Sequence, residues 1–212
     1  DSFNTPISYR ALSFGYDATW QNEQRSTQFN GVFNFSVRGL GNTANQFANK
    51  RSNARASYGY LRLDLKHTEK LPGGYSLFGR LGAQLAGSPL ISNEQYSAGG
   101  AGSVRGFLES EALGDKGVQA GLELRTPPFS SDAASFWNQT YALGFVEGAH
   151  LETIEPLPSQ QSRFTLSSTG LGLRMKAAKG FSVDMDFAYP LKQTSNTTAR
   201  DVRVQWRMAY EF

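Results

Sequence analysis

The stretch DVRVQWRMAYEF, residues 201–212, decides the fold class of this chain. Its polar positions include Arg203, Gln205 and Arg207, and they alternate with an apolar set made of Val202, Val204, Trp206, Met208, Tyr210 and Phe212. A period of two predicts a β-strand with one polar and one apolar face.

The same alternation recurs upstream in segments 12–20, 29–39, 58–67, 75–85, 118–125, 141–150, 170–176 and 181–189. No segment shows a helical period. The pattern therefore predicts an all-β, antiparallel meander of about nine strands, with no helix outside the loops. Each strand is roughly as long as the 9–11 residues that cross a bilayer at a tilt.

A soluble β-sandwich also alternates, but three features favour a transmembrane β-barrel. Charges of both signs recur on the polar face in mid-strand, which suits a wet lumen. Short connections at 72–74 and 177–180 alternate with long ones at 41–55, 88–116, 152–163 and 193–200, although 126–140 is long for an inner turn. Aromatic residues near strand ends predict an interfacial girdle: Trp20, Tyr58, Tyr75, Tyr141, Tyr189, Tyr210 and Phe212.

The barrel interpretation fixes which way the last strand faces. Val204, Trp206, Met208 and Tyr210 are expected to point outward to lipid, with the arginines pointing inward. A slip by one residue would place arginines in hydrocarbon, at a cost of about 2–4 kcal/mol each at the midplane.

Composition argues against several other classes of protein. The net charge of +3 over 212 residues is small and scattered, which argues against nucleic-acid binding. Cys is absent, and His67 and His150 have no ligand-like neighbours, so we expect no metal or other cofactor. No motif of a catalytic nucleophile or of a phosphate-binding loop appears, so we expect that the protein is not an enzyme.

An odd strand number conflicts with a closed barrel, because bacterial single-chain barrels have even numbers and leave no open edge in lipid. The start of the chain also lacks the basic and apolar regions of a signal peptide. We therefore expect a mature or truncated chain whose earlier strands lie outside it.

The glycine-rich stretch SAGGAGSVRGF, residues 97–107, lies in the longest connection, at about 88–116. A connection of that length is functional or disordered. Glycines on either side let the chain turn tightly around Arg105 and project its guanidinium into a confined space. The residues alone also allow an exposed arginine in a flexible loop.

These motifs resemble the haemolysin activator/secretion family, the outer-membrane transporters of two-partner secretion. The resemblance is carried by residues 85–96, Gly99-Gly100, Val104–Phe107, Glu109 and 114–117, and by 170–174 and 210–212. It implies that residues 1–212 form a single barrel domain, the C-terminal part of a sixteen-stranded barrel lacking about seven strands upstream. It also implies a bacterial outer-membrane location, periplasmic (POTRA) domains in the full-length protein, and an unfolded secreted polypeptide as partner.

In that family the long loop folds into the lumen, and its arginine pairs with an aspartate of a Phe-x-Asp motif. Here the matching residues are Phe145-Val146-Glu147, which keep the charge and add one methylene. The resemblance thus implies a loop lock made of Val104, Arg105, Gly106, Phe107, Phe145 and Glu147. Reversing both charges together is therefore expected to restore some activity.

The remaining inward charges are expected to form a mostly solvated lumen lining, with Arg125, Arg174, Asp184, Asp186, Arg203 and Arg207 as its members. Export of a large partner protein is the function that the resemblance favours. A barrel-assembly relative that inserts other outer-membrane proteins shares the loop motif. A structural or passive porin-like barrel is the third alternative.

Overall fold

A computed structural model describes residues 6–39, 41, 43–129, 137–177 and 180–211. One α-helix, α1 (Ala44–Lys50), and eleven strands are present: β1 (Leu12–Gln21), β2 (Arg25–Ser36), β3 (Tyr58–Lys70), β4 (Ser76–Ala86), β5 (Tyr96–Ala98), β6 (Ala112–Gly114), β7 (Lys116–Arg125), β8 (Trp137–Glu152), β9 (Arg163–Ala177), β10 (Phe181–Pro190) and β11 (Arg203–Tyr210). A short 3₁₀ turn occupies Pro72–Gly74.

Nine strands form one sheet in the order β1-β2-β3-β4-β7-β8-β9-β10-β11. All its pairings are antiparallel, so the sheet is a meander in which each strand pairs with the next large strand of the chain. The predicted fold class and strand number are confirmed. The two remaining strands, β5 and β6, pair only with each other and lie within the long loop.

The alternation of the sequence becomes two chemically different faces of the sheet. Leucines such as Leu122 and Leu171 stand exposed on one, the outer face. Arg62, Glu123 and Asp186 lie on the other, the inner face, together with the long loop. In β11, Val204, Trp206, Met208 and Tyr210 are at least half exposed, whereas Arg207 pairs with inner-face Asp184. The predicted orientation of the last strand is confirmed.

Two members of the predicted aromatic girdle are in fact on the inner face. Tyr58 is buried against α1, because the connection between β2 and β3 folds inward over it. Tyr141 packs against Leu143 and Phe145. Strand ends alone do not distinguish an aromatic at the lipid boundary from one under a folded loop. Phe212 lies outside the described residues.

The helix α1 was not predicted by any apolar period, because seven residues are too few to show one. A capping box defines its start: the Thr43 hydroxyl accepts from the Gln46 amide, and the Gln46 side chain accepts from the Thr43 amide. Phe47, fully buried, is its anchor. Among the described residues, no helix is both long and apolar enough to span a membrane.

The buried apolar side chains lie between the inner face and the connections that fold onto it. One cluster, under the long loop, contains Tyr96, Val104, Phe107, Leu151 and Leu166. The other, under α1, contains Phe47, Tyr58, Tyr60, Leu90 and Ile91. We call the edge of the sheet where these connections lie the long-loop end.

Candidate functional site

The long loop joins β4 to β7 and carries the β5–β6 hairpin across the inner face. Val104 and Phe107 are fully buried against Ala149 and Leu151 of β8 and Leu166 of β9. Burying two such side chains stabilises the folded-in loop by roughly 1.5–3 kcal/mol each. The alternative of an exposed arginine on a flexible loop is wrong for this structure, because Arg105 is only 2% exposed.

The guanidinium of Arg105 is surrounded by carboxylates from three strands. Its Nε and Nη2 donate to Glu147 Oε1 on β8 at 3.0 and 2.5 Å. Nη2 also donates to Glu123 Oε1 on β7 at 2.7 Å, and Nη1 donates to Asp186 Oδ1 on β10 at 3.1 Å. Charge-assisted bonds of this kind are roughly twice as strong as neutral ones. The predicted Arg105–Glu147 contact is therefore direct, and it is one of three.

Two backbone contacts fix the loop around this side chain. The amide of Arg105 donates to Glu147 Oε2 at 2.8 Å, so one carboxylate holds both the backbone and the guanidinium. The amide of Gly106 donates to Gln205 Oε1 of β11 at 3.2 Å. Gly106 has φ of +89°, and a Cβ there would meet Ala188 at 3.2 Å, so the turn needs glycine.

The ring of Phe145 lies 3.6 Å from the Arg105 guanidinium carbon. A cation–π contact away from water is worth about 2 kcal/mol. The ring passes over Gly170 of β9, where an added Cβ would come within 2.5 Å of it. Gly170 thus provides the space that the Phe145 ring occupies.

A second arginine shares Glu147. Arg80 Nη2 of β4 donates to Glu147 Oε1 at 2.6 Å, and its Nη1 donates to the Gly102 carbonyl at 2.5 Å. It also contacts the carbonyl of Ser103. Arg80 lies two strands away from Glu147, and Gly121 is the residue between them in register. Because Gly121 has no side chain, Arg80 reaches across β7.

Replacing Gly121 by alanine is expected to displace Arg80, because the new Cβ would lie 2.8 Å from its Nε. Loss of the bonds to Glu147 and the loop should weaken loop docking by roughly 1–3 kcal/mol. Hydrogen exchange of amides 99–103, followed by mass spectrometry, should accelerate by roughly 5- to 150-fold, the factor that corresponds to this free energy. Gly79→Ala is the matched control, since a Cβ there comes no closer than 3.9 Å to its nearest neighbour. Equal exchange in both variants would rule out this role of Gly121.

The predicted lumen lining divides into two groups. Arg125 binds Glu123, and Arg174 binds Asp186 with both carboxylate oxygens at 2.9 and 3.0 Å. Arg174 and Asp186 are only 17% and 9% exposed beside Arg105, so a mostly solvated lining does not describe them. Arg125 is 26% exposed at the end of β7 opposite to the loop. Arg207, paired with Asp184 and 79% exposed, does fit a solvated lining. Arg203 shares the face at the register position of Ala188 and makes no ion pair with any described residue.

Glu123 and Arg80 lie in segments 118–125 and 75–85, which the alternation predicted as strands, but the sequence analysis did not assign them to the site. Their positions follow from strand register, which aligns Arg80, Gly121 and Glu147 in one row across the sheet. Alternation predicts which face of the sheet a side chain lies on, but it does not predict which residues of neighbouring strands lie beside it. Gln205 was recognised only as inward-facing.

The ion-pair cluster around Arg105 has a structural role, which is to fix the loop, rather than a metal-binding one. In the part of the chain that the structure describes, no group of three or more His, Asp or Glu residues is arranged to hold a metal ion. The carboxylates are instead bound by arginines, which stay protonated and neutralise them. Such an arrangement fixes the position of a loop inside the sheet.

Comparisons with known proteins agree with this architecture. The family model of the haemolysin secretion/activation protein ShlB/FhaC/HecB matches residues 7–175. The solved structure of CdiB from Escherichia coli is similar with a TM-score of 0.75 at 21% identity, over 94% of this chain and 36% of that one. A BamA structure from Haemophilus ducreyi, lacking POTRA domains 1–3, is similar with a TM-score of 0.60 at 19% identity, over 94% of this chain and 42% of that one. The chain thus spans less than half the length of either structure. No curated protein matches its sequence.

Proposed function

The chain belongs to the haemolysin secretion/activation family of ShlB, FhaC and HecB, and from this premise we propose that it contributes to an outer-membrane pore that exports a large partner polypeptide. It is a β-barrel protein of the bacterial outer membrane. The partner is proposed to pass unfolded, because the long loop already covers part of the inner face.

The observation that carries the proposal is the loop bound across the inner face. Arg105 is held by side chains of β7, β8 and β10, so the loop joins three strands of the wall. A loop fixed in the lumen lies beside the path of a polypeptide. Its ion pairs are accordingly proposed to hold the loop in the position that export requires, with Val104, Phe107 and Phe145 supporting the loop lock.

The proposed surroundings follow from the two faces of the sheet. Residues 1–212 are proposed to act as one barrel domain, with outer-membrane lipid against the exposed leucines and aromatics. Periplasmic domains of the full-length protein are proposed to deliver the polypeptide. No catalytic step is proposed: among the described residues, the buried carboxylates Glu123, Glu147 and Asp186 are bound by Arg105 and serve to hold the loop.

A test compares cells that have or lack the full-length protein. One or a few large proteins should disappear from the medium and accumulate in the periplasm, as measured by mass spectrometry of both fractions. Other outer-membrane barrels should stay at normal levels. Unchanged medium with depleted outer-membrane barrels would instead identify a barrel-assembly protein, and no change in either fraction would leave a passive barrel.

A further inference from the structure

A second buried charge cluster lies on the same loop, away from Arg105. Asp115 is fully buried. Its Oδ1 accepts from the Leu90 amide at 2.8 Å and from Gln95 Nε2 at 3.3 Å. Its Oδ2 accepts from the Ile154 amide at 2.6 Å and from Arg51 Nη2 at 2.8 Å, while Arg51 Nη1 contacts Oδ1.

This one carboxylate joins three long connections. Arg51 follows α1 in the connection between β2 and β3, Leu90 lies near the start of the long loop, and Ile154 lies near the start of the connection between β8 and β9. Arg51 also donates to the Ile154 carbonyl at 3.0 Å and contacts the Leu90 carbonyl. Each connection is therefore bound to the same pair of side chains.

The joined connections lie over the inner face. Phe47 of α1, together with Leu90 and Ile91, packs on Tyr58 and Tyr60. These two tyrosines point inward from the first three residues of β3. Glu94 accepts from the Tyr60 hydroxyl at 2.6 Å, which adds a polar contact to the same cover. The connections thus cover the long-loop end of β3 and β4 and leave its lumenal side chains buried.

We propose that Arg51 and Asp115 form a second holding point, independent of Arg105, that keeps this end of the lumen covered at rest. Opening the cover would require Arg51 to separate from Asp115. That the cover must open for a polypeptide to pass rests on the proposed function, whereas the holding point itself does not.

The test uses the full-length protein in outer membranes. The chain has no cysteine, so Ala54→Cys places a single reporter thiol at a position that is 7% exposed under the cover. Arg51→Ala in this background is expected to raise the labelling rate by a membrane-impermeant maleimide at least tenfold. Arg55→Ala is the matched control, because Arg55 is exposed in the same connection, and it should change the rate less than twofold.

Further variants separate the possible outcomes. Arg51→Lys keeps the charge and loses the two-pronged contact, so it should label at an intermediate rate even if the alanine variant assembles poorly. Exchange of the pair, Arg51→Asp with Asp115→Arg, should not restore slow labelling, because the Leu90 and Ile154 amides would lose their acceptor.

Equal labelling in wild type and Arg51→Ala would overturn the holding point. Faster labelling in Arg105→Ala to the same degree would overturn its independence. The labelling rate does not require export, so failure of the proposed function would leave these results interpretable.

Discussion

Replacing Arg105 by alanine in the full-length protein is expected to reduce export of the partner polypeptide by about a hundredfold, while the barrel still assembles. The change leaves Glu123, Glu147 and Asp186 without their shared cation, in a site that water barely reaches. Breaking a buried ion pair costs about 3–5 kcal/mol, which is a factor of at least a hundred in loop occupancy. The amount of partner in the medium measures the effect.

Assembly is checked separately by the electrophoretic mobility of the unheated protein, which reports a folded barrel. Arg105→Lys is the informative companion, because a lysine keeps the charge but has one point of contact in place of a fork. It should retain a small part of the activity. Normal export by Arg105→Ala, with amides 99–103 still protected from exchange, would contradict the role of the loop lock.

The structure changes one expectation from the sequence. Reversal of both Arg105 and Glu147 was expected to restore some activity, as for an isolated pair. In the structure, a glutamate at 105 would face Glu123 and Asp186, and an arginine at 147 would face Arg80. The double reversal is therefore expected to be as inactive as either single change.

An arginine on the outer face is expected to prevent stable insertion. Leu122 is 46% exposed near the middle of β7, on the face opposite Glu123. Leu122→Arg should destabilise the inserted barrel by about 2–4 kcal/mol, the cost of arginine near the bilayer midplane. The fraction of heat-modifiable protein recovered in outer membranes measures it.

Two control variants distinguish the effect of the added charge from the effects of losing the leucine side chain and of placing arginine on the other face of the sheet. Leu122→Ala removes the side chain without adding charge and should insert almost normally. Asn30→Arg places the same cation on the inner face of β2, where Asn30 contacts Asp17 at 2.7 Å and lies opposite Asp64 in register. It should be tolerated. If Leu122→Arg inserted as well as Asn30→Arg, the two faces would be wrongly assigned.

Strand number and sidedness could be predicted because a period of two is a local property. The alternation in residues 201–212 determines that Trp206 and Arg207 lie on opposite faces, whatever strand lies beside them. The inward loop and its pairing with Glu147 were implied by family resemblance. The additional partners of Arg105, Glu123 and Asp186, could not be predicted, because they depend on the register between strands β7 to β10.

The Arg51–Asp115 pair could not be predicted for a related reason. Its two residues are 64 positions apart and meet above the sheet, where no periodicity constrains them. Asp115 was noticed only within a stretch that resembles the family. Arg51 follows a helix too short to leave a sequence signal.

The absence of a side chain at Gly121 has a consequence for how the sequences of these strands can change among related proteins. Arg80 reaches Glu147 only while the residue between them has no side chain. The three positions belong to three different strands, yet a change at one alters which changes are tolerated at the others. In aligned relatives, a residue larger than glycine at position 121 is expected only where position 80 has lost its long cation, so that these sites evolve as one unit.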